Sequence, residues 1–165
     1  MVSSFLKRLM FARQFEMDEG KITILGEELV MIPGDLLIEL QEIDQKRAYE
    51  FTKHQTARLI SKYFEKIGGG YVRSDAIVCD IFNNFGLGKL SIIESTENST
   101  VVKVTESTIA KDYLEKNKGF SDGPVCYVTA GVLAGMFSFL KKKDINASER
   151  ECHAKRDDAC KFVIE

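Results

Sequence analysis

The sequence predicts an α+β domain in which an antiparallel sheet packs against several helices, one of them long, central and buried. Three observations carry this reading. Short apolar or β-branched segments are paired about turn residues, which marks hairpins. Between them, apolar residues recur at helical spacing over about 34–67 and again from Ile77 to Phe85. Finally, "GPVCYVTAGVLAGMFSFLKKK" is the most apolar stretch of the chain, and a helix that is apolar on every side belongs in a core. With 165 residues, 44% hydrophobic and 29% charged, and no internal repeat or Pro/Ser-rich linker, the chain fits one compact domain over 1–165.

The elements follow in order. "MVSSFLKRLMFARQ" mixes Phe5, Leu6, Leu9, Met10 and Phe11 with Lys7, Arg8 and Arg13, so it reads as a short amphipathic helix that packs on the domain or on a second subunit. It lacks the unbroken apolar core of a signal peptide, which predicts a cytoplasmic protein. "KITILGEELVMIP" places two strands about Gly26-Glu27, stopped by Pro33. Leu37, Leu40 and Ile43, then Leu59, Ile60, Tyr63, Phe64 and Ile67, predict one long or two consecutive helices, closed by Gly68 to Gly70. Ser74 is placed to cap a helix carrying Ile77, Ile81, Phe82 and Phe85, which Gly86 to Gly88 closes. "KLSIIEST" and "TVVKVTES" flank Glu97-Asn98-Ser99 as a second hairpin, and a short helix follows over Thr108 to Lys116.

Pro124 suits the first turn of the central helix and Lys141 to Lys143 its far end. At about 17 residues this helix only reaches the lower limit of a membrane span. Ala130, Gly131, Ala134 and Gly135 interrupt it, so no membrane span is expected; its small face admits another element or a ligand. "INASERE" and "CKFVIE" end the chain as strands joined by a loop over His153 to Ala159.

Charge and motifs exclude several functions. The net charge is −2 and no long Lys/Arg tract occurs, so no nucleic-acid partner is expected. No Gly-x-Gly-x-x-Gly joins a strand to a helix; "GLGKL" and "GGGYVR" read as helix stops, and no Walker-type loop is present. His54 lies in the polar helical stretch "TKHQT", without a Ser or Cys partner. An enzyme is therefore the weaker expectation.

The cysteines carry the stronger signal. Cytoplasmic thiols stay reduced, so the four cysteines read as core residues, metal ligands or nucleophiles before disulfides. In "SERECHAKRDDAC", Cys152, Cys160 and one of Glu149, Glu151 or His153 supply most of a zinc tetrahedron. Cys126 is the better source of the remaining thiolate: it falls about the third position of the central helix, where free N–H groups and the dipole favour the anion. Cys79 is the poorer source, since it lies beside Ile77 and Ile81 on an apolar helix face. The bland alternative is four buried core thiols, because Cys-x7-Cys is a weak spacing.

Cys126 followed by Glu149-x-x-Cys152-x7-Cys160-x-Phe162 resembles the signature of the vinyl-4-reductase domain family. That family includes the sensory domains of aromatic-responsive bacterial transcription activators, and is similar in fold to transport-particle subunits of Golgi traffic and to haem-based nitric oxide sensors. "FARQFEMDEGKITILGEELVMIP" looks like the N-terminal stretch of small stand-alone archaeal-type members, which extends the resemblance over nearly the whole chain. The resemblance implies that Cys126, Glu149, Cys152 and Cys160 hold a zinc ion. Four protein ligands make a closed, structural site, so zinc would brace and not catalyse. Glu151 and His153 then stand around the site, with His153 a possible substitute ligand. Arg156 departs from the pattern, since family members often carry glycine ahead of the aspartate matched by Asp157.

The implied function is binding of a small hydrophobic molecule, with Phe82, Phe85, Tyr127, Ala130 and Ala134 expected to wall a cavity between the central helix and the sheet. Two alternatives remain: a vinyl reductase-type enzyme or accessory protein acting on a tetrapyrrole, and a scaffold subunit. A homodimer is expected from the apolar N-terminal segment and first hairpin, in line with the family.

Overall fold

The computed structural model describes residues 7, 10–11, 15–24, 27–66 and 75–165. Strands β1 (Phe15–Asp18), β2 (Lys21–Ile24) and β3 (Glu27–Leu29) form an antiparallel three-stranded sheet in that order. The expected first hairpin is β2–β3, with Ile22 opposite Leu29. β1 is an addition: "FEMD" carries only two apolar residues in alternation, too few to signal a strand on its own. The expected N-terminal amphipathic helix lies outside the described residues apart from Lys7, Met10 and Phe11, which are helical and exposed; the Gly68–Gly70 stop and the Ser74 cap lie outside them altogether.

Helices α1 (Gly34–Ile43) and α2 (Gln45–Lys66) are consecutive, so the two-helix option holds. Asp44 makes the break. Its backbone is extended (φ −156°, ψ 96°), and its Oδ1 accepts from the Arg47 N–H at 2.9 Å, ending one helix and capping the next. α3 (Asp75–Phe82) stops before Phe85, which falls in the following turn. There Asn84 Nδ2 donates to the Asp80 carbonyl and Asn83 Oδ1 accepts from the Leu90 N–H, bonds that compete with the helical ladder.

The second sheet is antiparallel, with β4 (Lys89–Ser95), β5 (Thr100–Thr105), β7 (Cys160–Ile164) and β6 (Ala147–Glu151) side by side in that order. α4 (Thr108–Asn117) follows β5, capped by Ser107, whose Oγ accepts from the Ala110 N–H at 3.3 Å. Thr100, Val102 and Val104 of β5 and Cys160, Phe162 and Ile164 of β7 are all buried, a strict period-2 face.

Against that face runs the central helix α5 (Tyr127–Lys141), every residue of which is buried from Val128 to Phe137. Its other side lies on α2. A Cβ at Gly131 would collide with Thr52 Oγ1 and the Tyr49 carbonyl, and one at Gly135 with the Lys53 carbonyl, so the small face serves helix–helix approach. Beside this contact the buried Lys53 ammonium reaches Asp144 Oδ1 at 2.7 Å and Asn146 Oδ1 at 2.8 Å. Among the described residues, no helix is long and apolar enough to cross a membrane.

Candidate functional site

α5 begins later than Pro124 suggests. Cys126 is its N-cap, with non-helical φ −96° and ψ 48°, and the first helical bond runs from the Ala130 N–H to the Cys126 carbonyl. The cause is a carboxylate from across the fold: Glu149 Oε2 accepts from the N–H groups of both Val125 and Cys126, each at 3.0 Å. The buried Gln41 of α1 completes the helix start, its Nε2 donating to the Val125 carbonyl at 2.6 Å and its Oε1 accepting from the Val128 N–H at 3.3 Å.

At this point three thiols and one carboxylate converge. Cys126 Sγ lies 3.9 Å from Cys152 Sγ and 3.7 Å from Cys160 Sγ, and the last two are 4.0 Å apart. A tetrahedral ion with metal–sulfur bonds of about 2.3 Å requires sulfur–sulfur edges of about 3.8 Å. The ligand atoms of Cys126, Glu149, Cys152 and Cys160 all fall within 4.8 Å of one another, and the cluster could hold a metal ion. Glu149 Oε1 is buried without a hydrogen-bond partner. A buried acceptor without a partner, beside three thiols, is the kind of donor set that suits a cation.

Strand geometry explains how Glu149 and Cys152 meet. Residues three apart would face opposite sides of a regular strand. Between β6 and β7 the register shifts from Glu149↔Phe162 to Glu151↔Lys161, a bulge that changes the phase and lets both side chains enter the site. The return loop is held from within: the Cys152 N–H donates to Asp157 Oδ2 at 2.8 Å and the His153 N–H to Cys160 Sγ at 3.4 Å. Arg156, at the position where the family resemblance leads one to expect glycine, has φ 75°, a left-handed conformation that glycine adopts without strain. Its guanidinium lies over the Phe120 ring at 4.6 Å.

Electrostatics without an ion are asymmetric. Hydrogen bonds from Cys126 and then Cys152 pull the Cys160 thiol down to about 4, helped by the His153 N–H. Cys126 is pushed well above its ordinary value, first by its hydrogen bonds to Cys152 and Cys160 and then by burial. Among the three thiols the lowered one is Cys160, whereas Cys126, at the helix start, is raised. Cys152 is pulled down by its bond to Cys126, but its bond to Cys160 and burial outweigh this and raise it. Burial, then the charge of Cys152, pushes Glu149 up to about 7.

The four expected ligands are therefore brought together. Glu151 instead pairs with Lys161 at 2.7 Å, and the exposed His153 ring meets the Asp157 carbonyl at 3.1 Å. Cys79 stands on α3, half-buried and outside the cluster. Sequence reasoning missed Gln41, Ser107 and Asp157. Asp157 lay in the motif but showed no role. Ser107, whose hydroxyl sits 3.7 Å from Cys126 Sγ, was legible as a cap, whereas Gln41 is 84 residues from its partner and gave no signal.

The five expected pocket residues do not meet. Phe82 and Ala134 are fully buried in the core. Phe85 lines a cavity of about 610 Å³ between the first sheet and α1–α3, with Phe15, Ile24, Met31, Leu37 and Tyr63 among its walls. Tyr127 and Ala130 line a separate hollow of about 420 Å³ against α2 and β6. The difference arises because α2, not open space, occupies the small face of α5.

Comparison with known proteins accords with this architecture. A profile of the vinyl-4-reductase domain matches residues 100–165, the segment holding all four clustered side chains. An uncharacterized protein of Methanocaldococcus jannaschii is 30% identical over 135 residues, which cover 82% of this chain and 69% of that protein. Among solved structures, the phenol-responsive sensory domain of the transcription activator PoxR, crystallised with phenol, matches with a TM-score of 0.78 at 16% identity, over 99% of this chain and 90% of that one. A vinyl-4-reductase family protein of M. jannaschii gives 0.58 at 19%, over 100% and 96%. Trafficking protein particle complex subunit 3 of Naegleria fowleri, covalently bound to palmitic acid, gives 0.54 at 11%, over 79% and 93%. The chain belongs to the vinyl-4-reductase domain family.

Proposed function

We propose that this chain is a zinc-braced module that binds a small hydrophobic molecule and performs no chemistry of its own. The observation that carries the reading is the cavity of about 610 Å³, whose walls are almost wholly apolar. Its size lies within the roughly 300–1,000 Å³ range of small-molecule sites. An alkyl, acyl or larger ring compound suits it better than a polar effector. Phenol in PoxR and palmitic acid in the trafficking subunit are what two proteins of this fold hold, and they motivate the ligand class.

In this reading Cys126, Glu149, Cys152 and Cys160 hold zinc, and residues 1–165 act as a single domain. Four protein donors leave no open position, so the ion supplies rigidity. Glu149 orients the start of α5 through two backbone N–H groups, the β6–β7 bulge aims Glu149 and Cys152, and Asp157 fixes the loop between them. The module works as a cytoplasmic homodimer. The dimer is motivated by an apolar stripe on one face of α1, Leu36, Leu40 and Ile43, continued by Val30 and Met31, all exposed.

Extraction of the purified protein with organic solvent followed by mass spectrometry tests the reading. A stoichiometric lipid or ring compound is expected. A clean extract, with no thermal shift across a panel of fatty acids and aromatic hydrocarbons, overturns it in favour of a scaffold.

A further inference from the structure

The apolar cavity is not sealed. Ile60, Tyr63 and Ile81 give it a buried floor, but Val30 and Met31, which also line it, are 83% and 75% exposed. It therefore opens to solvent along the segment that joins β3 to α1. An apolar molecule seated there keeps part of its surface wet, and that part contributes nothing to binding.

The rim of the opening runs on into the stripe on α1. Ile32 and Leu37 line the cavity, while Leu36, Leu40 and Ile43 stand outside it, exposed on one helix face at i, i+4 and i+7. Val30, Met31, Ile32, Leu36, Leu40 and Ile43 together offer roughly 600 Å² of apolar surface, the upper end of what a monomer leaves bare and most of the ~800 Å² per partner of a stable interface. Charge selects a second copy as the occupant. Two α1 helices crossing antiparallel about Leu40 bring the exposed Asp35 of each near the exposed Lys46 and Arg47 that follow the other, whereas a parallel crossing sets like charge on like. Among the described residues, none of these three side chains makes an ion pair within its own chain.

We propose that a second copy of the chain, packed α1 on α1 about a twofold axis at Leu40, closes the mouth of the cavity at Val30 and Met31, so that ligand uptake and dimerisation drive each other. The inference rests on the cavity and dimer readings above. The coupling is reciprocal: what the partner adds to ligand affinity, the ligand adds to dimer affinity. A tenfold effect requires the partner to cover only about 55 Å² of the ligand, at roughly 25 cal/mol per Å².

The full chain provides the test, with N-phenyl-1-naphthylamine, an uncharged fluorophore that brightens in apolar surroundings, as the probe. Sedimentation gives the dimer fraction and fluorescence titration the probe affinity at the same protein concentrations. The unmodified dimer is expected to take up one probe per chain, and saturating probe should lower its dimer midpoint at least tenfold. Leu40→Glu alters no cavity wall; it should be monomeric, keep its melting transition and bind the probe at least tenfold more weakly. Asp35→Arg should weaken both dimer and probe binding, and adding Arg47→Asp should restore both. Equal probe affinity in the Leu40→Glu monomer and the unmodified dimer overturns the coupling alone, and a Leu40→Glu chain that stays dimeric overturns the choice of face. No uptake by the unmodified dimer removes the cavity reading, and an unmodified chain that is monomeric with and without probe removes the dimer reading; either takes the coupling with it.

Discussion

Glu149→Gln separates the cost of the buried carboxylate from its use. The amide keeps the shape of the side chain and an oxygen for the Val125 and Cys126 N–H groups. Burial pushes the Glu149 carboxyl from 4.5 up to about 7. A raised carboxyl favours folding most below its unfolded value, and that contribution is lost as pH rises through the folded value. The gap corresponds to about 3 kcal/mol. In reduced, chelator-treated protein at pH 8, Glu149→Gln is therefore expected to be more stable than the unmodified chain by up to about 3 kcal/mol, or on the order of 10 °C in Tm. At pH 4.5 the two should nearly coincide. With one equivalent of zinc the order should invert, because the unmodified chain has four donors and the variant three. Paired thermal and urea melts at both pH values decide it. A variant less stable than the unmodified chain at pH 8 without metal refutes the claim that this carboxylate is held at a cost.

Three further outcomes follow from the same geometry. Elemental analysis should find about one zinc per chain, lost on changing Cys126, Cys152 or Cys160 to serine and retained in Cys79→Ser; retention in the first three would dismiss the cluster as a metal site. Gly135→Ala should lower stability by about 1–3 kcal/mol in urea melts, since the new Cβ meets the backbone of α2. Leu40→Glu should convert a dimer to a monomer in light scattering at micromolar concentration, and a monomeric unmodified chain would remove that part of the proposal.

Much of the fold was legible because its signals are local. The β4–β5 hairpin shows β-branched runs about a polar turn, and α1 and α2 show helical spacing broken at one aspartate. The thiol cluster was legible only in part: Cys152 and Cys160 stand close in sequence, a weak spacing by itself, and the full set with Cys126 and Glu149 came from the family resemblance. What escaped depends on distant partners. The start of α5 is set by Glu149, 23 residues downstream of Cys126, so the helical preference of Pro124 is overridden. Small residues on α5 do not say whether a helix or a ligand fills the space beside them, and the answer required the position of α2. The apolar cavity depends on how β1–β3 lies over three helices, which no periodicity encodes.

The bulge in β6 turns the motif's spacing into a matter of parity. Inserting one residue between Arg150 and Glu151 would leave every donor in the chain, yet with the bulge kept it would turn Glu149 and Cys152 to opposite faces. Smoothing the bulge away would restore a common face, but at a separation of about 13 Å along the strand, too far for one ion. Adding a residue within the outer loop, between Lys155 and Ala159, would leave both orientations intact. The four side chains are thus only half of the site's inheritance; the other half is a count of residues, and related chains should vary in loop length long before they lengthen the interval from Glu149 to Cys152.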